Sequence, residues 1–491
     1  MRVGVDTGGT FTDVVAADGT IAKVPSTPVD PGEAVRTASR AVLAAAAGDD
    51  AAGGDDAAGG DPANGSVAAT ECDGAAGGDR VAGDDGSRPS ALAHGTTVAT
   101  NALLERRGAA VWLVTDEGFA DVIEIARQDR PSLYDLWADR PAPLVPRERR
   151  LEVTGRLGPD GDELTPLDLA PLIEALLTGM EGAGQQAAGT EAPVTNAAGT
   201  EAAGSQAVAA GSQAVAVCLL HSDLNPAHER AVADALEALG PLDISLSVDV
   251  SPQFREYERT VTTVLNAYLR PVCRAYLTGL EDMADEVSVM TSAGGLVPVV
   301  RGAQVPVSLL LSGPAGGVEA GAAAAVASGF PDAVTFDMGG TSTDVCLVRG
   351  GVPDPAGERV VGGYPIRQPS LDVHTIGAGG GSIAAVDAGG ALRVGPRSAG
   401  AEPGPACYGK GGVEPTVTDA NLVAGRLGEG VELPGIGGLD VNAARDALDA
   451  AGASAEGVIT VVDAAMEEAV RAVSVARGVD PAGLALVAFG G

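Results

Sequence analysis

The sequence predicts an α/β fold in two lobes, on three observations. Short β-rich runs alternate with helical patterns, a strand-turn-strand segment near the N-terminus returns in the second half, and two low-complexity segments interrupt the ordered parts. Arg2 to Asp6, Phe11 to Ala16 and Thr20 to Pro25 read as consecutive strands joined by glycine turns. From about Gly48 to Ser90 the chain repeats Asp-Asp-Ala-Ala-Gly-Gly without a single aromatic residue. Such sequence buries too little apolar area to offset an ordering entropy of about 1–2 kcal/mol per residue, so an inserted surface loop is expected. Thr96 to Arg107 reads as a helix, Ala110 to Thr115 as a strand and Gly118 to Ile125 as a helix. Gly182 to Gly211 repeats small polar units and reads as a linker.

Beyond it, Val215 to Leu220 is a buried strand, and Asn225-Pro226 opens a helix with a cap residue and an N1 proline. Glu256 to Met283 carries a long helical pattern that Pro271 should kink or break. Val287 to Thr291 and Val334 to Asp337 supply strands for a second sheet. The expected organisation is therefore a first domain over residues 1–181 with its insert at about 48–90, a linker at 182–211 and a second domain over 212–491.

The repeat is the most informative feature. Asp6-Thr7-Gly8-Gly9-Thr10-Phe11-Thr12-Asp13-Val14 returns as Asp337-Met338-Gly339-Gly340-Thr341-Ser342-Thr343-Asp344-Val345, with seven of nine positions identical and apolar β-runs on both sides of each copy. Paired glycines permit positive φ and let backbone N–H groups approach an anion with no Cβ in the way. Gly8, Gly9, Thr10 and Thr12, with Gly339, Gly340, Thr341 and Thr343, are candidate phosphate contacts. Asp6 and Asp337 stand at strand ends, where a carboxylate can hold the water shell of Mg²⁺. Asp13 and Asp344 are further metal candidates, with turn capping as the competing role. Two such turns facing each other would clamp a triphosphate such as ATP; hairpin-turn chemistry alone is the simpler reading of one copy.

Composition excludes several classes. A formal net charge of −35, from 66 acidic and 31 basic residues, argues against nucleic acid. Lys23 and Lys410 are the only lysines, so we read the acidity as adaptation to concentrated salt, which screens self-repulsion. Five cysteines without a Cys-x-x-Cys pair suit a reducing cytoplasm, and no segment reads as a signal peptide or membrane span. A phosphate loop of the Gly-x-x-x-x-Gly-Lys-Ser/Thr type is absent.

Six blocks together carry a family resemblance: Gly4-Val-Asp-Thr-Gly-Gly-Thr-Phe-Thr-Asp13, His94-Gly-Thr-Thr-Val-Ala-Thr-Asn101, Phe254-Arg-Glu-Tyr-Glu-Arg-Thr260, Ser312-Gly-Pro-Ala-Gly-Gly317, Asp337-Met-Gly-Gly-Thr-Ser-Thr-Asp344 and Gly400-Ala-Glu-Pro-Gly-Pro-Ala-Cys-Tyr408. In order and spacing they resemble the hydantoinase A/5-oxoprolinase family, which includes the ATP-using subunits of acetone-type carboxylases. The resemblance implies a two-lobed actin/sugar-kinase/heat-shock-chaperone-like ATPase fold built on duplicated ribonuclease H-like mixed sheets. It implies ATP and Mg²⁺ as cofactors, and a cyclic amide of the hydantoin or 5-oxoproline type, or a ketone, activated at its carbonyl oxygen by phosphoryl transfer. It also implies a hydantoinase B-like partner subunit in a hetero-oligomer; a nucleotide-gated regulatory module is the alternative from another class, and an inactive fragment that no longer closes over adenine is the third.

Under the resemblance Asp6, Asp337, His94 and His374 are catalytic candidates, and Asp6, Asp13, Asp337 and Asp344 are metal candidates. Gly377, Gly379, Gly380 and Gly381 form a glycine run expected to contact the nucleotide. Arg127 and Arg130 belong to a stretch near the family's substrate pocket, with a surface ion pair as the competing role. The block Ser312 to Gly317 serves either phosphate binding or close helix packing. The chain stops at Ala488-Phe-Gly-Gly491, where the family's adenine-contacting glycine motif begins, so a C-terminal truncation is expected.

Overall fold

Every second residue of the strand Arg2–Thr7 is buried, namely Val3, Val5 and Thr7, the period of two that places one strand face on a core. The computed structural model describes residues 1–7, 11–25, 31–52, 88–128, 132–135, 137–138, 141–187, 213–428, 430–433 and 436–490. These form two compact units, Met1–Gly313 with Gly357–Ser370, and Pro314–Ala356 with Leu371–Gly491.

The first unit holds two sheets. One contains β1 (Arg2–Thr7), β2 (Phe11–Ala16), β3 (Ile21–Pro25), β4 (Ala91–Thr96), β10 (Glu286–Met290) and β11 (Leu296–Pro298), in the order β11-β10-β4-β1-β2-β3. β4 runs parallel to both β1 and β10, so the strand expected at Val287 to Thr291 belongs to the sheet of β1 and not to a second sheet with Val334 to Asp337, and β1, β2 and β3 form an antiparallel meander. The other sheet contains β5 (Ala110–Asp116), β6 (Arg150–Leu157), β7 (Glu163–Asp168), β8 (Gln213–Val217) and β9 (Asp243–Leu246), in the order β7-β6-β5-β8-β9. The helix Glu256–Thr278 packs on both: Val264, Leu265 and Leu269 share one core with Val5, Leu92 and Val289 of the first sheet and with Leu113 and Ala216 of the second. Each such fully buried aliphatic side chain is worth roughly 1.5–3 kcal/mol relative to exposure.

Pro271 does not break that helix, which runs on to Thr278. A proline removes one intrahelical bond. Here Leu265, Leu269, Cys273 and Leu277 bury the turns on both sides, and tertiary packing holds the helix through the gap.

The helix expected over Thr96 to Arg107 is shorter, Val98–Leu104, and that at Gly118 to Ile125 keeps only Val122–Ile125. The Asn225 side chain accepts from Ala227 N at 3.0 Å, the cap expected there. Of the low-complexity segments, residues 48–52 end the helix Pro31–Ala52 and 182–187 end the helix Ala170–Ala187; 53–87 and 188–212 lie outside the described residues.

The second unit is built on β12 (Ala333–Met338), β13 (Thr343–Arg349) and β14 (Val352–Pro353), with the strand Ala485–Gly490 parallel to β12 and the strand His374–Ile376 paired to β13. The helix Ala455–Val473 buries Ala469 and Val473 against Val334, Val345 and Leu347. Among the described residues no helix is long and apolar enough to cross a membrane, and Cys218, Cys273, Cys346 and Cys407 are buried free thiols.

Candidate functional site

The sequence repeat is a structural repeat with one register. β1 and β2 pair Asp6 with Asp13 and Thr7 with Thr12; β12 and β13 pair Asp337 with Asp344 and Met338 with Thr343. In each unit the first strand of the hairpin also has a parallel neighbour on its other edge, β4 in one case and Ala485–Gly490 in the other. The two hairpins are thus the same local construction.

In the first hairpin, Gly8, Gly9 and Thr10 lie outside the described residues, so the strand ends define the site. β1 turns its even positions outward, which brings the Asp6 carboxylate to the surface beside Gly95 of β4, where a Cβ would stand 3.0 Å from Asp6 Oδ1. The protein mass on its inner side and then the facing Asp13 carboxylate raise the Asp6 pKa, with Lys23 opposing. Lys23 Nζ donates to both oxygens of Asp13 at 2.8 and 2.9 Å from the adjacent register position on β3. Thr12 is fully buried.

The second hairpin is complete. Gly339 N donates to Ser342 O at 2.9 Å and closes a short turn whose tip, Gly340 and Thr341, is exposed. The N–H groups of those two residues have no hydrogen-bond partner among the described residues, so they are donors available to an anion. The Thr341 hydroxyl lies 3.4 Å from Ser398 Oγ. Thr343 differs from expectation: its buried hydroxyl donates to Ala378 O at 2.6 Å, so it ties the hairpin to the glycine run and is not a phosphate contact.

That run, Gly377 to Gly381, touches the turn directly. Gly380 N donates to Gly339 O at 3.0 Å and Gly381 N to Gly340 O at 2.6 Å. A Cβ on Gly379 would stand 2.6 Å from Gly339 O, and one on Gly381 2.9 Å from Gly340 O. The run supports the turn, and the N–H groups of Gly380 and Gly381 are spent on it. Gly377 sits one step away against Pro396.

Two further motifs converge on Asp337. A Cβ on Gly490 would come too close to Asp337 Oδ1, and one on Gly317 would lie 3.5 Å from Oδ2 and 2.8 Å from the Phe489 ring. Gly321, one turn on, meets Thr335 and Phe489 in the same way. Gly317 and Gly321 of the helix Ser312–Ala327 therefore serve close packing, the second of the two roles considered for that block, whereas Gly313 has open space on its side-chain position.

His94 is placed in the core. It sits on β4, fully buried, with Nε2 2.6 Å from Tyr276 Oη, and burial pushes its pKa down to about 4. It is a neutral core imidazole out of reach of solvent; its neighbour Gly95 is the member of that block that meets Asp6. His374 is exposed on the strand paired to β13, and the next residue, Thr375, donates its hydroxyl to Asp344. Arg127 forms a bidentate pair with the buried Glu258 at 2.6 and 2.5 Å, a structural tie to the helix Glu256–Thr278; Arg130 lies outside the described residues.

Among the described residues no three His, Cys, Asp or Glu side chains gather. A metal at either hairpin would take one or two carboxylates and complete its shell with water and phosphate oxygen, which is the donor set Mg²⁺ prefers. Asp6, and the paired Asp337 and Asp344, fit that set, whereas both oxygens of Asp13 are engaged by Lys23. Sequence reasoning missed Gly95, Gly317, Gly490, Lys23, Thr375 and Ser398. The three glycines lay inside quoted motifs, and their signal was the absence of a side chain beside a strand-end aspartate.

The chain matches the hydantoinase/oxoprolinase family over residues 259–491 and the hydantoinase/oxoprolinase N-terminal region over 2–58 and 61–240. It is 38% identical to caprolactamase subunit alpha of Pseudomonas jessenii, across 100% of this chain and 65% of that one. It is 37% identical to 5-oxoprolinase 1 of Arabidopsis thaliana across 67% of this chain and 25% of the relative. The crystal structure of ATP-dependent caprolactamase from Pseudomonas jessenii matches with a TM-score of 0.75 at 36% identity, over 100% of this chain and 66% of the other. The chain thus spans less than two thirds of that subunit alpha, and the two share a mixed α/β fold.

Proposed function

Because the chain belongs to the hydantoinase/oxoprolinase family, we propose that it uses ATP to activate a cyclic amide for hydrolysis, acting with a partner subunit. The supporting observation is the turn at Gly340 and Thr341, whose exposed N–H groups sit next to Asp337 at the end of β12. The names of the relatives, caprolactamase subunit alpha and 5-oxoprolinase, support a lactam-type substrate and a second subunit.

The chemistry explains why ATP is needed. Resonance makes an amide carbon a poor electrophile, and a ring nitrogen is a poor leaving group. Transfer of the γ-phosphoryl group to the carbonyl oxygen forms a new O–P bond, breaks the bond to ADP and makes the carbon open to water. One water adds, the ring nitrogen leaves with a proton, and a second water displaces phosphate, which departs with the former carbonyl oxygen. Lactam, ATP and two waters become amino acid, ADP and phosphate.

In this reading the Gly340 and Thr341 amides and the Thr341 hydroxyl hold phosphate oxygens, since phosphoryl transfer depends on positioning and charge neutralisation. Asp337, with Asp344 beside it, would hold Mg²⁺, which offsets the charge of the phosphates, and Asp6 is the corresponding carboxylate of the first hairpin. The test is a lactam labelled with ¹⁸O at its carbonyl, turned over with ATP by the chain and its partner subunit. Label recovered in inorganic phosphate supports the reading; label retained wholly in the amino acid carboxylate overturns this route, in which phosphate leaves carbon with the former carbonyl oxygen.

A further inference from the structure

We propose that Thr418 is a positioning residue for the phosphate-binding turn, acting through Gly380. The proposal rests on the reading of the second hairpin as a phosphate site. Three observations carry it.

The Thr418 backbone N–H and its hydroxyl both donate to the Gly380 carbonyl, at 2.8 and 2.9 Å. The Gly380 N–H in turn donates to Gly339 O, and the following N–H, of Gly381, donates to Gly340 O. Thr418 is therefore joined to the tip of the hairpin by one intervening peptide, and each bond in such a chain polarises the next. The spacing is tight: a Cβ on Gly380 would stand 3.0 Å from Thr418 Oγ1.

Thr418 is itself rigidly held. The helix Val417–Val423 begins with a capping box in which Thr416 Oγ1 accepts from Asp419 N at 3.3 Å. The Asp419 carboxylate, fully buried, accepts from Ala406 N, Cys407 N, Thr416 N and the Thr416 hydroxyl. A carboxylate that takes so many donors fixes the block Gly400 to Tyr408 and the helix start as one body. The sequence block Gly400 to Tyr408, which phosphate contacts alone left unexplained, gains a role as the mount of this clamp.

Thr418→Val keeps the shape and the backbone N–H and removes only the hydroxyl donor. Calorimetric titration of the full chain with Mg-ATP should then show a Kd raised about fivefold to tenfold, the effect of one buried bond. The denaturation midpoint should match the wild type, and Thr418→Ser should return the Kd to the wild-type value. Thr460→Val, which removes a comparable hydroxyl bond to Glu456 O on an exposed helix face, should leave the Kd unchanged. A folded Thr418→Val protein with wild-type Kd, or Thr418→Ser that fails to restore it, overturns the positioning role. A wild-type chain that does not bind Mg-ATP overturns the hairpin reading first and this proposal with it.

Discussion

Gly379 lies against Gly339 so closely that a Cβ on the former would come within 2.6 Å of the carbonyl oxygen of the latter. The contact is backbone to backbone, so no side chain can swing aside. Gly379→Ala should shift the turn at a cost of about 1–3 kcal/mol. Mg-ATP affinity should fall about tenfold or more while circular dichroism stays native. Native affinity in a folded variant would show that the run and the turn are not coupled.

Gly490 combines a φ of +92° with a packed Asp337 carboxylate on its side-chain position. Gly490→Ala should cost roughly 1–2 kcal/mol from backbone strain alone and displace Asp337. Gly483→Ala, with open space around its Cβ position, should be near neutral. Equal denaturant midpoints for the two variants would contradict this account.

The buried His94 makes acid stability a specific prediction. Its pKa falls from 6.5 to about 4 on folding, so its contribution is fully present above 6.5 and is lost as pH drops toward 4. The size is about 3 kcal/mol. Glu229 acts in the opposite sense: burial raises its pKa, so its contribution is present at low pH and lost as pH rises through the folded value. His94→Asn should flatten the wild-type loss of stability between pH 6.5 and 4, measured by urea titration. Imidazole nitrogen shifts in the wild type should remain those of a neutral ring at pH 5; a protonated ring there would refute the placement.

Net charge supplies a fourth outcome. At −35 the folded chain repels itself, and salt screens that repulsion over about 3 Å at 1 M. The melting temperature should rise between 0.1 and 2 M KCl. A flat or falling trend would mean that the acidic surface has another cause.

The sequence made both hairpins legible because their signal is local: glycine pairs, flanking β-runs and an exact order of Asp and Thr. It also placed Asp6 and Asp337 at strand ends, where they are found. It did not separate Thr341 from Thr343, since facing the solvent or the Ala378 carbonyl depends on strand parity at the turn. Nor could it show that His94 is fully buried while its neighbour Gly95 lies against Asp6, because burial is set by tertiary packing. Pro271 misled for the same reason: burial along a helix is a tertiary property that local propensity cannot report.

If the strand-end aspartates serve phosphoryl transfer from ATP, phosphate release by the chain with its partner subunit should require lactam. Compared with wild type, Asp337→Asn and Asp6→Asn should each lower that release about 100-fold or more, with the fold intact by circular dichroism. Wild-type rates in both variants, or release indifferent to lactam, would contradict that role.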